Sequence, residues 1–207
     1  ARKMFDGAVF IDCGSHAGVT LEEAVKPCYG FKTIHAIEPM PNQFAQLRAT
    51  YGGDLRVDLH NFGLADYTGP ADIYGSNDIA EASMYAAKRD VNAAVVTPCQ
   101  VVEASEFFRQ CISADDRNVM KFNCEGAEVP ILNNLIDSGE IWKVSNAVIT
   151  WDCSCIPGEE HHEAELIARM QSIGFDRWVG SVEAFDPPPG IPWPHPAKIA
   201  QWLRAIA

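Results

Sequence analysis

The sequence predicts an α/β fold in which a mainly parallel sheet is covered by helices on both faces. Short apolar runs alternate along the chain with segments of helical length, which is the pattern of strands joined by crossover helices. A glycine turn joins the first apolar run to the first helical segment. Polar residues follow several of the apolar runs, at the points where the strands are expected to end.

The first unit of this pattern is a strand, a glycine turn and a helix. Residues 8–11 form an apolar run that predicts a buried strand, and the turn Gly14-Ser15-His16-Ala17-Gly18 follows it. Glycines in such a turn let the backbone approach a ligand without a Cβ atom in the way. The next residues predict a helix start, with Thr20 as the N-cap and Glu23 as its partner in a capping box.

A second apolar run, residues 33–37, ends on Glu38, twenty residues after the last glycine of the turn. This order is typical of a nucleoside-binding unit, in which the acid accepts hydrogen bonds from the ribose hydroxyls. The turn lacks the third glycine of the dinucleotide fingerprint and the lysine of a P-loop. Asp12 is expected to face the ligand, where it would repel a phosphate and attract a sulfonium. These charges favour S-adenosylmethionine over NAD.

The rest of the chain continues the alternation. Further strands are predicted at residues 57–62, 71–74, 95–102, 118–123, 147–151 and 175–179, with Pro98 marking an edge or irregular strand. Further helices are predicted around residues 44–48, ending at Gly52-Gly53, and at residues 105–111, 127–137, 159–173 and 197–206. Residues 76–89 predict a mobile loop, and the proline-rich residues 186–196 predict irregular structure.

The composition predicts one globular domain over residues 1–207, with a proline-rich tail and a terminal helix in residues 186–207. Because the first strand begins almost at the first residue, we expect a domain cut from a longer polypeptide with additional domains. The net charge of −12 argues against nucleic-acid partners, whereas a neutral sugar is compatible with it. No long apolar window and no signal peptide are visible, so we expect no membrane insertion and a cytoplasmic location.

Seven cysteines are scattered along the chain, and we interpret them as small apolar core residues in a reducing cytosol. The segment Cys153-Ser154-Cys155, followed by His161-His162, offers a zinc site as an alternative. However, C-x-C is not the usual ligand spacing. The adjacent histidines at a helix start are also expected to point to different faces, so no metal is predicted.

Four predicted strands end in polar residues, which are Asp12, Glu38, residues 123–125 and Asp152. In open α/β sheets, ligands bind beyond the carboxyl ends of the strands. We therefore expect these side chains to meet at one site. Polar residues also end strands that have no function, but this explains one or two of the four ends better than all of them.

Several segments recur in one known family: residues 11–18, residues 36–41 with Phe44 and Leu47, residues 62–66, Ser83-Met84 and residues 120–128. The most specific is Lys121-Phe122-Asn123-Cys124-Glu125-Gly126-Ala127-Glu128. On these residues, which extend over about three quarters of the chain, the sequence resembles the FkbM family of S-adenosylmethionine-dependent methyltransferases. Asn123 stands where the family usually has Asp, which keeps hydrogen bonding and removes a charge.

The resemblance implies a Rossmann-like class I methyltransferase fold with a seven-stranded, mostly parallel sheet. It also implies methyl transfer to an oxygen, often a hydroxyl of a sugar or glycan such as the deoxyhexose rhamnose. By position, the glycine turn would hold the methionyl part of the cofactor, Glu38 the ribose, and residues 63–65 the adenine. The implied cofactor-binding residues are Asp12, Gly14, Ser15, His16, Gly18, Glu38, Pro39, Gly63, Leu64, Ala65 and Asn123.

A hydroxyl acceptor also needs a base near its oxygen. The predicted catalytic residues are Asp152 and Glu125 as bases, with Lys121 and Asn123 as orienting groups. Capping of the following helix is the alternative role of Glu125. The predicted acceptor-binding residues are Tyr85, Lys88, Arg89 and His161, the last also a candidate base.

Two other functions stay open at this point. An NAD-dependent oxidoreductase or epimerase shares the strand–turn–helix–acid unit, but the missing third glycine, Asp12 and the absence of a Tyr-x-x-x-Lys pair argue against it. A non-catalytic domain would keep the nucleoside pocket and transfer nothing. Asn123, in place of the acid that is usual in the family, supports this second alternative.

Overall fold

The computed structural model describes residues 3–75, 82–181 and 196–207. Its strands are β1 (Val9–Cys13), β2 (Thr33–Ile37), β3 (Val57–His60), β4 (Gly63–Ala65), β5 (Gly69–Tyr74), β6 (Val96–Glu103), β7 (Asn118–Phe122), β8 (Val144–Ile149) and β9 (Trp178–Gly180). Its helices are α1 (Val19–Ala24), α2 (Pro41–Tyr51), α3 (Ala104–Cys111), α4 (Glu128–Ser138), α5 (His162–Ser172) and α6 (Pro196–Ile206). Two short 3₁₀ helices cover Glu140–Lys143 and Cys153–Cys155.

Six parallel strands form the main sheet in the order β3-β2-β1-β7-β8-β9. The order reverses between β1 and β7, so the switch point of the sheet lies there. Seven strands were expected, and the described residues place six in this sheet. The strands β4, β6 and β5 form a separate three-stranded sheet. β4 follows β3 after two residues, which is too short for a crossover back into the parallel sheet, and it pairs with β6 instead.

The main sheet is buried on both faces, because successive strand residues alternate between two apolar clusters. Ile11 and Met120 pack with residues of α3, α4 and α5 on one face. Phe10, Val119 and Val148 pack with residues of α1, α2 and α6 on the other face. The predicted sheet with helices on both faces is confirmed.

Helix α1 begins differently from the prediction. It begins at Val19 with Gly18 as the N-cap, and no side chain caps it. The expected capping box between Thr20 and Glu23 is wrong, because Gly18, with a φ of 95°, turns the chain into the helix before Thr20. The carboxylate of Glu23 instead accepts a hydrogen bond from the hydroxyl of Tyr29 at 2.5 Å.

Strand β4 and the two 3₁₀ helices were not predicted, and the other described elements lie within a few residues of their predicted limits. Helix α4 is followed, as predicted, by Gly139 in the left-handed conformation. Pro98 lies in β6, where β5 is its partner, and β4 pairs only with residues 101–103 of this strand. Pro98 therefore stands at a local edge, where its missing N–H is tolerated. Residues 76–81 of the predicted mobile loop and residues 186–195 of the predicted irregular segment lie outside the described residues. Within the described ranges, no helix has the length and apolar character needed to cross a bilayer.

A buried ion pair joins β1 to β7 beneath the glycine turn. Asp12 and Lys121 are register partners on the two strands. The Lys121 ammonium lies 3.1 Å from Oδ1 of Asp12, and both side chains are at most 1% exposed. The same ammonium donates a hydrogen bond to the Gly14 carbonyl at 2.7 Å. Neither carboxylate oxygen of Asp12 accepts an aligned hydrogen bond from the described residues, so Lys121 compensates the charge by proximity.

We predict that Lys121→Met lowers the free energy of unfolding by about 3–5 kcal/mol, because it leaves the Asp12 carboxylate buried without a compensating charge. Lys32→Met is the matched control, since Lys32 pairs with Asp116 at 2.6 Å near the surface. The control should cost less than about 1 kcal/mol. Urea unfolding monitored by circular dichroism measures the free energy of unfolding of both variants. An equal decrease in the two variants would contradict the structural role of the buried pair.

Candidate active site

A cleft opens at the carboxyl ends of β1, β2 and β7, at the switch point of the sheet. Its described lining consists of Cys13, Gly14, Ser15, His16, Val19, Ile37, Glu38, Pro39, Met40, Gln43, Gly63, Leu64, Ile73, Ala82, Met84, Val101, Asn123, Cys124, Glu125 and Ala127. This lining contains the two carboxylates of Glu38 and Glu125 and, within the described residues, no lysine or arginine. The cleft therefore favours a cationic ligand.

The glycine turn forms one wall of the cleft and is fixed by its neighbours. The backbone N–H groups of Gly14 and Ser15 donate to the carbonyl of Ile37 at 3.1 and 3.0 Å. Gly14 has a φ of 80°, and a Cβ atom there would lie 1.9 Å from the carbonyl oxygen of Asn123. The turn and the loop after β7 therefore touch at a point where only glycine fits.

Glu38 is held between the glycine turn and the segment before α2. Its Oε2 accepts a hydrogen bond from the backbone N–H of His16 at 2.7 Å, and its Oε1 accepts one from Met40 at 2.8 Å. The residue is buried, and burial raises its pKa to about 7, although these two hydrogen bonds act in the opposite direction. Each oxygen can still accept another hydrogen bond, so the side chain can bind two hydroxyl groups of a ligand.

The loop from Asn123 to Glu128 forms the opposite wall, and Glu128 holds its shape. The two oxygens of Glu128 accept hydrogen bonds from the N–H groups of Cys124 at 2.6 Å and Gly126 at 2.9 Å. Burial and the charge of Asp152 raise the pKa of Glu128 to about 8. Glu128 therefore fixes the backbone of this loop, whereas Glu125 lines the cleft.

Lys88 connects two carboxylates next to the cleft. Its ammonium donates to Oε2 of Glu125 at 2.5 Å and lies 3.7 Å from Oδ1 of Asp152. Desolvation lowers the pKa of Lys88. The hydrogen bond to Glu125 and the charges of the two carboxylates together outweigh this effect, so the pKa lies above its ordinary value. Burial raises the pKa of Asp152, while Lys88 opposes that rise. Oδ2 of Asp152 is buried without a hydrogen-bond partner among the described residues.

The structure brings most of the predicted cofactor-binding residues together. Those that line the cleft are Gly14, Ser15, His16, Glu38, Pro39, Gly63, Leu64 and Asn123. Asp12 differs from expectation, because its carboxylate lies under the turn beside Lys121 instead of facing the cleft. Lys121, predicted as an orienting catalytic group, accordingly supports the turn from below. Gly18 packs against the ring of Tyr51, and Ala65 is buried in β4.

A second, polar groove lies between α4 and α5. Its lining consists of Asp66, Tyr85, Val129, Pro130, Asn133, Asn134, Asp137, Glu159, His162 and Glu165. A Cβ atom on Gly126 would lie 3.2 Å from the ring of Tyr85, so this ring separates the groove from the loop that lines the cleft. Burial and the charge of Glu159 raise the pKa of Tyr85.

The other predicted acceptor-binding residues take different positions. Arg89 is engaged with its own surroundings, since its backbone N–H donates to the carbonyl of Cys155 at 2.8 Å and its guanidinium donates to that of Ser154. Lys88, as described above, is bound to carboxylates. His161 lies beside His162 at the edge of the groove, with ring centroids 4.1 Å apart. The expectation that the two histidines point to different faces is wrong, because their rotamers bring the rings together.

Sequence reasoning missed the apolar part of the cleft. Met40, Ile73, Met84 and Val101 line it from four separate segments, and in the sequence they are indistinguishable from core residues. It also missed the connecting role of Lys88. A lysine in an irregular segment is normally expected at the surface, and no spacing in the sequence indicates that folding buries it between two acids.

The parallel sheet, with helices on both faces and a cleft at its switch point, defines a Rossmann-like α/β fold. Residues 12–205 match the family model described as the methyltransferase FkbM domain. The chain therefore belongs to the FkbM methyltransferase family, as the motifs indicate.

Among solved structures, the chain is similar to the crystal structure of methyltransferase FkbM from Methylobacillus flagellatus KT, with 16% sequence identity and a TM-score of 0.43. The match covers 67% of this chain and 31% of that chain, so this chain corresponds to less than a third of that protein. A comparison with curated proteins gave no match.

We predict that Gly14→Ala lowers the free energy of unfolding by at least about 2 kcal/mol, because the left-handed backbone disfavours a Cβ and the new atom would collide with the Asn123 carbonyl. Gly53→Ala is the control, since a Cβ there meets nothing within 4 Å and should change stability by less than about 1 kcal/mol. Urea denaturation of the two variants measures the difference. A Gly14→Ala protein as stable as the control would show that the two loops are not in close contact.

Proposed function

We propose that this protein is an S-adenosylmethionine-dependent O-methyltransferase acting on a hydroxyl of a sugar or glycan. The observation that carries the proposal is Glu38, a buried carboxylate held by two backbone N–H groups at the edge of the switch-point cleft. Family membership supports the reaction class. The identity of the methyl donor and of the acceptor is our inference from the chemistry of the lining.

In this proposal, Glu38 accepts hydrogen bonds from the two ribose hydroxyls of the donor. Gly63 and Leu64, together with the apolar side chains of Met40 and Val101, suit the flat face of an adenine. The glycine turn and Asn123 suit the methionyl part. Backbone groups and a side-chain amide provide both donors and acceptors, so they can hydrogen-bond to its carboxylate and to its ammonium group. When bound, the donor supplies a methyl group activated on a positively charged sulfur.

The charge of the lining favours this donor over a dinucleotide. Glu38 and Glu125 are the acidic groups of the described lining, which contains no described lysine or arginine, although Lys88 pairs with Glu125 from outside it. A pyrophosphate would be repelled by these carboxylates, whereas a sulfonium with an ammonium group would be attracted. The attraction of a sulfonium, which was expected from Asp12, is therefore assigned in this proposal to Glu38 and Glu125, which line the cleft.

For the chemical step, we propose Asp152 as the general base and Lys88 as its positioning residue. The acceptor hydroxyl must lose a proton as its oxygen forms the new bond to the methyl carbon and the carbon–sulfur bond breaks. Burial makes Asp152 a better proton acceptor than an exposed carboxylate, and its Oδ2 is available. Glu125 is the alternative base, since it lines the cleft and shares Lys88 with Asp152.

The polar groove is the proposed acceptor subsite. Its Tyr85 lies beside Gly126, in the loop that lines the cleft, and the carboxylates and amides of the groove offer many hydrogen-bond acceptors for hydroxyl groups. The surplus of acids favours a neutral acceptor such as a deoxyhexose, for example rhamnose, over a phosphorylated sugar. A cytoplasmic location and a single domain over residues 1–207 stay part of this proposal.

We predict that the affinity for S-adenosylhomocysteine falls by about tenfold between about pH 8 and about pH 6, because the ribose hydroxyls bind the ionised form of Glu38, whose pKa is about 7. The sign for stability is opposite. The raised pKa in the folded protein means that protonation of Glu38 stabilises the fold as the pH falls from about 7 towards the ordinary value of 4.5. Isothermal titration calorimetry across this range measures the affinity.

Glu38→Gln tests the assignment of this pH dependence. The variant should bind weakly at about pH 8 and show little change in affinity with pH, whereas Glu106→Gln, at a half-buried position of α3 that does not line the cleft, should behave like the unmodified protein. Wild-type affinity in the Glu38 variant would remove this residue from the donor site.

We predict that Asp152→Asn lowers the rate of methyl transfer by about 10²–10⁴-fold and changes S-adenosylhomocysteine affinity by less than about twofold. The measurement uses a labelled methyl donor and a panel of neutral sugars and small glycosides. Glu125→Gln, assayed in parallel, distinguishes the two candidate bases. Full activity of the Asp152 variant would assign the base elsewhere, and donor binding without transfer to any acceptor would favour a non-catalytic domain.

A further inference from the structure

We propose that His161, His162 and Glu165 form a binding site for a divalent transition-metal ion at the start of α5. One ligand atom from each side chain lies within 4.8 Å of the other two. Across residues 3–75, 82–181 and 196–207, no other group of three histidine, cysteine, aspartate or glutamate side chains meets this distance.

The first turn of α5 brings these residues together. His161 is the N-cap and already has a helical backbone, with a φ of −82° and a ψ of −21°. Glu165 therefore follows one turn later, at the i+4 position from His161 and the i+3 position from His162. The N–H of Glu165 donates to the His161 carbonyl at 3.2 Å, so one hydrogen-bonded turn fixes the backbone of all three residues.

The contact between His162 and Glu159 gives the cluster a feature of metal-bound histidines. Oε2 of Glu159 lies 2.5 Å from Nδ1 of His162. When Nδ1 donates to this carboxylate, Nε2 carries the lone pair that binds a metal. A carboxylate behind the imidazole fixes the ring and strengthens it as a ligand. Glu159 therefore acts as a positioning residue for the proposed site.

The ligand set determines the kind of ion. Two imidazoles and one carboxylate suit zinc, cobalt, nickel or copper, whereas magnesium and calcium prefer oxygen ligands alone. Residues 159–165 carry four glutamates and no lysine or arginine, so the local charge also attracts a cation. Because His162 and Glu165 line the polar groove, the remaining coordination positions of the ion would be open to this groove.

The experiment titrates Co²⁺ into untagged, chelator-treated protein and records the visible absorption spectrum. We expect one equivalent of bound cobalt, with bands of a nitrogen- and oxygen-ligated ion and without the thiolate charge-transfer band that ligation by Cys153 or Cys155 would give. The double variant His161→Ala/His162→Ala should lose affinity by about tenfold or more. Glu163→Gln is the matched control, because it removes a charge from the same turn and leaves the three ligands in place.

Three results would overturn the proposal. The first is an equal cobalt affinity in the double variant and the unmodified protein, and the second is a thiolate band in the unmodified protein. An equal loss of affinity in Glu163→Gln and in the double variant would also overturn it, since the binding would then depend on charge alone. Circular dichroism confirms that each variant is folded before the titration.

Discussion

The contact between the glycine turn after β1 and the loop after β7 determines the geometry of the whole site. Gly14 and the carbonyl of Asn123 are so close that no Cβ fits between them. Both segments follow adjacent parallel strands at the switch point, so their approach sets how far apart the two walls of the cleft can stand. Lys121 supports the turn from below through the Gly14 carbonyl, and Glu128 fixes the other loop through two N–H groups.

Each buried carboxylate near this contact is compensated in its own way. Backbone N–H groups hold Glu38 and Glu128, an ammonium group lies beside Asp12, and Lys88 serves both Glu125 and Asp152. The two lysines lie outside the described lining of the cleft. The cleft itself therefore keeps a surplus of negative charge, which is the physical reason for proposing a cationic methyl donor.

The parts of the fold that follow from local patterns were predictable from the sequence. Apolar runs located the strands of the main sheet, and Gly139 located the end of α4. The start of α1 was not predictable from its capping residues, because the left-handed Gly18 decided it. The number of strands in the main sheet was also not predictable, since β4 and β6 pair over a long sequence separation.

The same distinction applies to the candidate site. Glu38 and the glycine turn were found because they lie at a fixed spacing within one βαβ unit. The orientation of the Asp12 side chain was not predicted, because it depends on Lys121, which is more than a hundred residues away in the sequence. Lys88 and the apolar lining come from segments whose meeting is decided by tertiary packing. The convergence of His161 and His162 depends on side-chain rotamers, which a helical-wheel argument does not contain.

The charges of the proposed reaction explain why two acids share one lysine. Glu125, Asp152 and Lys88 together carry a formal charge of −1, and the methyl donor carries a positive sulfur. As the methyl group leaves, the sulfur becomes neutral, and the proton from the acceptor hydroxyl makes the three-residue cluster neutral as well. Both charges therefore disappear in the same step, and none is created in a partly buried site where an uncompensated charge is costly. A single carboxylate paired with Lys88 would begin neutral and would become positive on accepting the proton. With the second carboxylate, the cluster can accept the proton while Lys88 stays paired with a carboxylate, and its net charge does not become positive.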